Sequence, residues 1–199
     1  MALPRPMTAA LWAALAITTL APLFIAGASP LQASRNAAYV VASLAGVAAL
    51  GLLTLQPILA RGHLPDVAHP RQRRWHHWVG AFLVLCVALH VGGLYLTSPP
   101  DTLDALLLVS PTPFSVYGVA AMWGIMISTT LALFRRKLRL NPRLWRGVHT
   151  VLAIVVVSAT VIHALQIEGA MGQWSKRALC AAALISLSGV LYVRHIRQR

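Results

Sequence analysis

The fold is decided by two apolar stretches that each begin and end with a histidine. The first reads HHWVGAFLVLCVALH over residues 76–90, and the second reads HTVLAIVVVSATVIH over residues 149–163. In both, the terminal histidines are 14 residues apart. At about 3.6 residues per turn and about 1.5 Å rise per residue, such a pair lies on one helix face with its members about 21 Å apart.

The composition is that of a membrane protein. Hydrophobic residues make up 58% of the 199 and charged residues only 11%, whereas soluble domains have about 25% charged residues. Six apolar segments, each long enough for a bilayer core about 30 Å thick, are separated by breaks rich in proline and serine. We therefore predict an all-α, polytopic bundle of six transmembrane helices over residues 7–27, 37–60, 75–97, 113–134, 144–166 and 176–193.

The net charge of +13 is distributed along the chain as expected for a membrane protein. Basic residues occupy short loops between apolar segments and build no basic face, which argues against a nucleic-acid partner. The loops on one side carry 14 basic residues and those on the other carry 3. The positive-inside rule then predicts an inner (plasma) membrane protein with both termini in the cytoplasm. The third and fifth segments run outward, so His76 and His149 share an inner level and His90 and His163 an outer level.

The N-terminal segment has two interpretations. Arg5, the apolar run and Ala26-Gly27-Ala28 resemble a cleavable signal peptide, but the run is long for one. We favour a retained helix. The predicted division is an N-terminal transmembrane helix with a short outer loop over residues 1–36, a histidine-bearing domain over 37–193, and a basic cytoplasmic tail over 194–199.

Four histidines at matched depths on two helices of the same direction predict haem ligation. Imidazole binds iron through one ring nitrogen, and haem iron accepts two such axial ligands. This ligation leaves no open iron position, so it suits electron transfer. No C-x-x-C-H motif for covalent attachment is present, which indicates two haems of the b type. The alternative is a proton or metal path through the membrane.

Helical geometry favours His76 over His77 as the inner ligand. His77 lies 13 positions before His90, so its side chain points about 140° away from the histidine face. We expect His77 beside Trp75 and Trp78 in the interfacial aromatic belt. The remaining histidines are expected in loops or the tail: His63, His69 and His195.

Three arginines are candidates for pairing with haem propionates, because a guanidinium binds a carboxylate well. Arg73, Arg74 and Arg146 lie just to the cytoplasmic side of the inner histidines, where topology alone also favours arginine. Small residues next to the histidines would allow close approach of a flat macrocycle or another helix: Gly80, Gly92, Gly93 and Gly147. Beyond the histidine spacing, we see no sequence repeat.

These residues resemble the ferric reductase-like transmembrane domain family. The stretch Trp75-His76-His77-Trp78-Val79-Gly80, followed by His90, is similar to the family's "H-R-x-L-G … L-H" helix. The stretch Leu144-Trp145-Arg146-Gly147-Val148-His149, followed by His163, resembles its second histidine helix. The resemblance covers roughly residues 37–193. It implies ligand pairs formed level by level, His76 with His149 and His90 with His163.

The resemblance implies a dihaem electron-transfer protein that is the haem-binding membrane subunit of an oxidoreductase. Because no glycine-rich nucleotide motif is present, a separate flavoprotein or a quinol is the expected donor. The expected acceptor is a periplasmic redox protein or ferric iron, and membrane lipid surrounds the chain. Three alternatives stay open: the membrane subunit of a periplasmic methionine sulfoxide reductase, a quinol- or ascorbate-type cytochrome b, and a haem-free transporter.

Overall fold

The computed structural model describes residues 4–62 and 64–196, and within them it contains seven α-helices, one short 3₁₀-helix and no strand. The all-helical prediction is confirmed. The α-helices are α1 (Arg5–Gly27), α2 (Ala37–Arg61), α3 (His69–Thr97), α4 (Pro99–Leu106), α5 (Pro113–Phe134), α6 (Pro142–Gln166) and α7 (Gln173–Ile196). His63 and residues 197–199 of the predicted tail lie outside the described residues.

Six of these helices are long and apolar enough to cross a membrane, namely all except α4. The chain is therefore a multi-pass membrane protein, as the composition predicts. Large apolar side chains on several spans are more than 70% exposed: Phe24, Leu96, Leu133 and Ile185. Exposed apolar surface of this extent is expected where lipid, not water, surrounds a chain.

Local sequence sets the ends of the spans. The Asn36 side chain accepts a hydrogen bond from the Tyr39 N–H at 2.8 Å and caps the start of α2. Gly62 ends that helix with φ 71°, a left-handed conformation that glycine adopts without a steric penalty. Asn141 caps α6 in the same way as Asn36, through the Arg143 N–H at 2.8 Å.

The start of α3 is six residues earlier than predicted, because a buried side chain anchors its polar first turns. Gln72 is fully buried. Its Oε1 accepts from the Leu64 N–H at 3.0 Å, and its Nε2 donates to the carbonyl oxygens of Leu64 (2.9 Å) and Val67 (2.7 Å). A search for apolar residues overlooks such a turn, since its stability comes from hydrogen bonds.

The chain forms two compact units, each containing one of the two histidine helices. The first comprises the described parts of Met1–Thr97 and Glu168–Arg199, and there α2 packs against α1, α3 and α7. The second is Ser98–Ile167, in which α5 packs against α6 and α4. We call α2 with α3 the first hairpin and α5 with α6 the second hairpin. The predicted domain boundaries at residues 36 and 193 stay a prediction.

Candidate functional site

The two histidines predicted to lie at the outer level, His90 and His163 (the outer histidines), are each held by a main-chain oxygen of the preceding helix in their own hairpin. His90 Nδ1 lies 2.8 Å from the Ala42 carbonyl oxygen, and His163 Nδ1 lies 2.8 Å from that of Phe114. A carbonyl oxygen only accepts hydrogen bonds, so each Nδ1 carries the hydrogen and donates it. In that tautomer the lone pair is on Nε2, the nitrogen that would bind a metal.

A glycine makes each of these contacts possible. A Cβ atom at Gly46 would lie 2.9 Å from His90 Nδ1. A Cβ atom at Gly118 would lie 2.7 Å from Cε1 and 2.8 Å from Nδ1 of His163. Both distances are shorter than side chains tolerate, so any larger residue would push the imidazole aside.

The two histidines predicted to lie at the inner level, His76 and His149 (the inner histidines), are held by two different kinds of oxygen. His76 Nδ1 lies 3.2 Å from the Gln56 carbonyl oxygen, and the Gln56 side-chain Nε2 donates to the His76 carbonyl at 3.3 Å. His149 Nδ1 lies 2.8 Å from the Ser128 hydroxyl. Both partners again belong to the preceding helix of the same hairpin.

The rings beside the inner histidines also differ. Trp145 stacks on His149 with ring centroids 4.9 Å apart and an interplanar angle of 26°. The Arg135 guanidinium lies 6.0 Å from the centroid of the Trp145 ring. His76 instead meets the edge of His77 at 5.8 Å. An aromatic stack restricts ring rotation, so the His149 imidazole is held on its face as well as at Nδ1.

His76 and His77 differ in their surroundings. The His76 side chain is half-buried and hydrogen-bonded to α2, whereas the His77 side chain is exposed. His76 thus has the same kind of hydrogen bond as the other three candidate ligands. The geometry favours the choice of His76, which stays a prediction.

The holding contacts form a repeat that the sequence analysis missed. The holding residues and glycines recur 72 residues apart in the two hairpins: Ala42 and Phe114, Gly46 and Gly118, and Gln56 and Ser128. The histidines recur 73 residues apart. The interpretation that no repeat exists beyond the histidine spacing is therefore wrong. One signal was available, because Gly-Val-Ala-Ala occurs at both residues 46–49 and 118–121.

The glycines that flank the histidines in sequence have other surroundings. A Cβ atom at Gly93 would lie 2.8 Å from the Ala42 Cβ and 2.9 Å from the Ala38 carbonyl oxygen, so this glycine allows α3 to pack closely on α2. A Cβ atom at Gly80 would have ordinary contact with Gln56 at 3.5 Å. At Gly92 and Gly147 it would meet no atom within 4 Å.

The three candidate arginines are exposed and lie within one helical turn of an inner histidine. Arg73 and Arg74 precede His76 on α3, and Arg146 precedes His149 on α6. Arg73 and Arg146 are also 73 residues apart, so they hold matching positions in the two hairpins. Exposed guanidinium groups near the ends of spans suit the carboxylate edge of a haem. This role stays a prediction.

The donor set fits haem. Across residues 4–62 and 64–196, no three side chains of His, Cys, Asp or Glu come together in a group that could hold a bare metal ion. Haem brings four equatorial nitrogens of its own and needs only axial imidazoles from the protein. Imidazoles whose Nδ1–H is already donated to an oxygen are the usual form of such ligands.

Comparison with known proteins gives one match. A family model described as "Ferric reductase like transmembrane component" matches residues 45–160, which is more than half of the chain. This range contains Gly46, Gly118 and three of the candidate ligands, and it ends three residues before His163. No curated protein and no solved structure matches the chain.

Proposed function

We propose that this chain, which belongs to the ferric reductase-like transmembrane family, is a b-type dihaem protein that carries electrons across the inner membrane. Membership in the family indicates a membrane electron-transfer component, and domains of this family generally bind haem. The number and type of haems, the direction of electron flow and the redox partners are proposals.

One observation carries the proposal: all four candidate ligands have Nδ1 within hydrogen-bonding distance of an oxygen from the neighbouring helix. Four imidazoles, each with Nδ1 held by an oxygen, would supply the axial ligands of two bis-histidine haems. We assign His76 with His149 to the inner haem and His90 with His163 to the outer haem, between α3 and α6. The assignment rests on the topology predicted from the loop charges and on the family resemblance.

When bound, each haem would supply an iron that takes up and releases one electron at a time. The imidazoles would fill both axial positions and so keep oxygen and other small ligands away from the metal. Donation from Nδ1–H would raise the basicity of each ligand and favour the ferric state. Apolar side chains of α3 and α6 would provide a low dielectric, and Arg73, Arg74 and Arg146 are proposed to pair with the propionates of the inner haem.

The proposed partners lie on opposite sides of the membrane. A cytoplasmic flavoprotein or a quinol would reduce the inner haem, and a periplasmic redox protein or ferric iron would oxidise the outer haem. Moving one charge across the membrane changes the free energy by about 2.3 kcal/mol per 100 mV. The reduction potentials of the partners therefore decide the direction of electron flow.

The test is the absorbance spectrum of the purified, haem-supplied protein after reduction with dithionite. We expect sharp b-type bands and two haems per chain by the pyridine haemochrome assay. Loss of circular dichroism would identify an unfolded preparation. A helical preparation that binds no haem would overturn the proposal and favour the transporter alternative.

A further inference from the structure

We propose that Gly46 and Gly118 are positioning residues that seat the two outer histidines against main-chain carbonyl oxygens, in the orientation and tautomer needed for axial ligation. The inference rests on the proposed function, because it assigns a role in holding the outer haem. It concerns residues on α2 and α5, the helices that carry none of the candidate ligands.

Each glycine lies one helical turn after the residue that supplies the acceptor oxygen. In an α-helix, the carbonyl oxygen of residue i accepts from the N–H of residue i+4, which leaves one lone pair for a second donor. The Cβ atom of residue i+4 lies over residue i on the same face, because side chains tilt toward the helix N-terminus. Gly46 is residue i+4 to Ala42, and Gly118 is residue i+4 to Phe114. A Cβ atom at either position would come within 3 Å of the imidazole and crowd its approach to the oxygen.

This contact between a histidine and a carbonyl oxygen occurs in both hairpins, although the acceptor residue differs. The acceptor residue is alanine in the first hairpin and phenylalanine in the second, yet both Nδ1–O distances are 2.8 Å. A small side chain at the acceptor is therefore unnecessary. What the two hairpins share is the glycine one turn later, with its missing Cβ atom within 3 Å of the imidazole.

The inner level of the first hairpin provides an internal comparison. His76 also approaches a main-chain oxygen, that of Gln56, but residue i+4 there is Ala60. The distance is 3.2 Å instead of 2.8 Å. With Ala60 in that position the hydrogen bond is retained but longer, which agrees with a weaker contact where a Cβ atom is present.

The test uses the full-length protein with the substitutions Gly46→Ala and Gly118→Ala. Each new methyl group must displace an imidazole from its carbonyl oxygen. Loss of a hydrogen bond behind a metal ligand typically weakens metal binding 10–100-fold. We therefore expect 10–100-fold weaker retention of the outer haem and a changed low-spin electron paramagnetic resonance signal from it. The signal of the inner haem should stay unchanged.

Matched control variants test whether an effect comes from displacing an imidazole or from replacing a glycine in general. Gly92→Ala and Gly147→Ala each lie two residues from a histidine, about 200° around the helix, and add a methyl group to open space. Both haem signals should remain as in the unsubstituted protein.

A suppressor variant keeps the test decisive if Gly46→Ala does not accumulate. In the double variant Gly46→Ala/His90→Ala, the methyl group has no imidazole to meet, so accumulation and the inner haem signal should return. Failure of the double variant to accumulate, where His90→Ala alone does accumulate, would overturn the proposal.

Two other results would also overturn it: unchanged haem signals in Gly46→Ala and Gly118→Ala, and the same spectral change in Gly92→Ala. A helical wild-type protein without haem would instead contradict the proposed function itself, so the two failures are distinguishable.

Discussion

The first hairpin holds both of its histidines with main-chain oxygens, whereas the second holds one with a main-chain oxygen and the other with the Ser128 hydroxyl. At the outer level the two hairpins are alike in acceptor type, distance and glycine. At the inner level they differ in acceptor type and distance, whereas the residue one turn after the acceptor is alanine in both, Ala60 and Ala132. The comparison indicates that the outer positions are under a common geometric constraint, while the inner positions are adjustable by side-chain exchange.

A second difference lies one turn before each inner histidine. Trp145 stacks on His149 in the second hairpin, and the matching position in the first hairpin is Gln72, which anchors the connection from α2. The same register position thus restrains a candidate ligand in one hairpin and a loop in the other. The second hairpin therefore has more side chains through which the properties of its inner histidine can be altered.

The largest expected effect tests whether the two hairpins contribute to the same outer haem. His90→Ala and His163→Ala should each reduce the content from two haems to one and leave the same residual spectrum, because either change removes one axial ligand of that haem. The pyridine haemochrome assay and electron paramagnetic resonance measure both quantities. If the two variants retain different haems, the level-by-level pairing is wrong.

The next effect tests the choice of ligand at the inner level of the first hairpin. His76→Ala should remove the inner haem, and His77→Ala should leave both, because only His76 shares the hydrogen-bonding arrangement of the other histidines. Haem content per chain decides between them. His149→Ala serves as the reference and should match the His76→Ala spectrum. The reverse outcome for the pair would assign the inner ligand to His77.

A smaller effect distinguishes a side-chain acceptor from a main-chain acceptor. Ser128→Ala removes the acceptor of His149, a bond worth about 1 kcal/mol, which is about 40 mV for one electron. The inner haem potential should rise by about that amount, since weaker donation makes the ligand less basic. Gln56→Ala retains its carbonyl oxygen and should change the potential much less. Equal shifts in a redox titration would remove the distinction between the hairpins.

The smallest effect concerns the arginines. Arg146→Gln removes a positive charge near the proposed inner haem, which should stabilise the ferric state and lower its potential. For an exposed pair the effect is about 0.2–1 kcal/mol, and it should diminish as salt is raised. Arg143→Gln on the same helix is the control. A shift of equal size in both variants would attribute the change to general surface charge and leave no specific role for Arg146.

The sequence predicted the spans and the histidine faces because hydrophobicity and helical period are properties of single segments. It did not predict the partners of the histidines, since periodicity along α3 does not reveal which carbonyl of α2 lies opposite. Proximity in sequence therefore pointed to Gly92 and Gly147, where an added Cβ atom would contact no other atom within 4 Å. It did not identify Gly46 and Gly118. The short helix α4 was also missed, because an eight-residue segment containing two acids gives no membrane signal.

The acceptors of the outer histidines are backbone carbonyl oxygens, and this determines which codons can change without loss of the contact. No codon change can delete a carbonyl oxygen, so the contact can be made by different acceptor residues, which here are alanine at 42 and phenylalanine at 114. Selection on the contact would act instead one turn away, where a single base change can introduce a methyl group. In descendants of this gene, we expect the trace of the contact at codons 46 and 118.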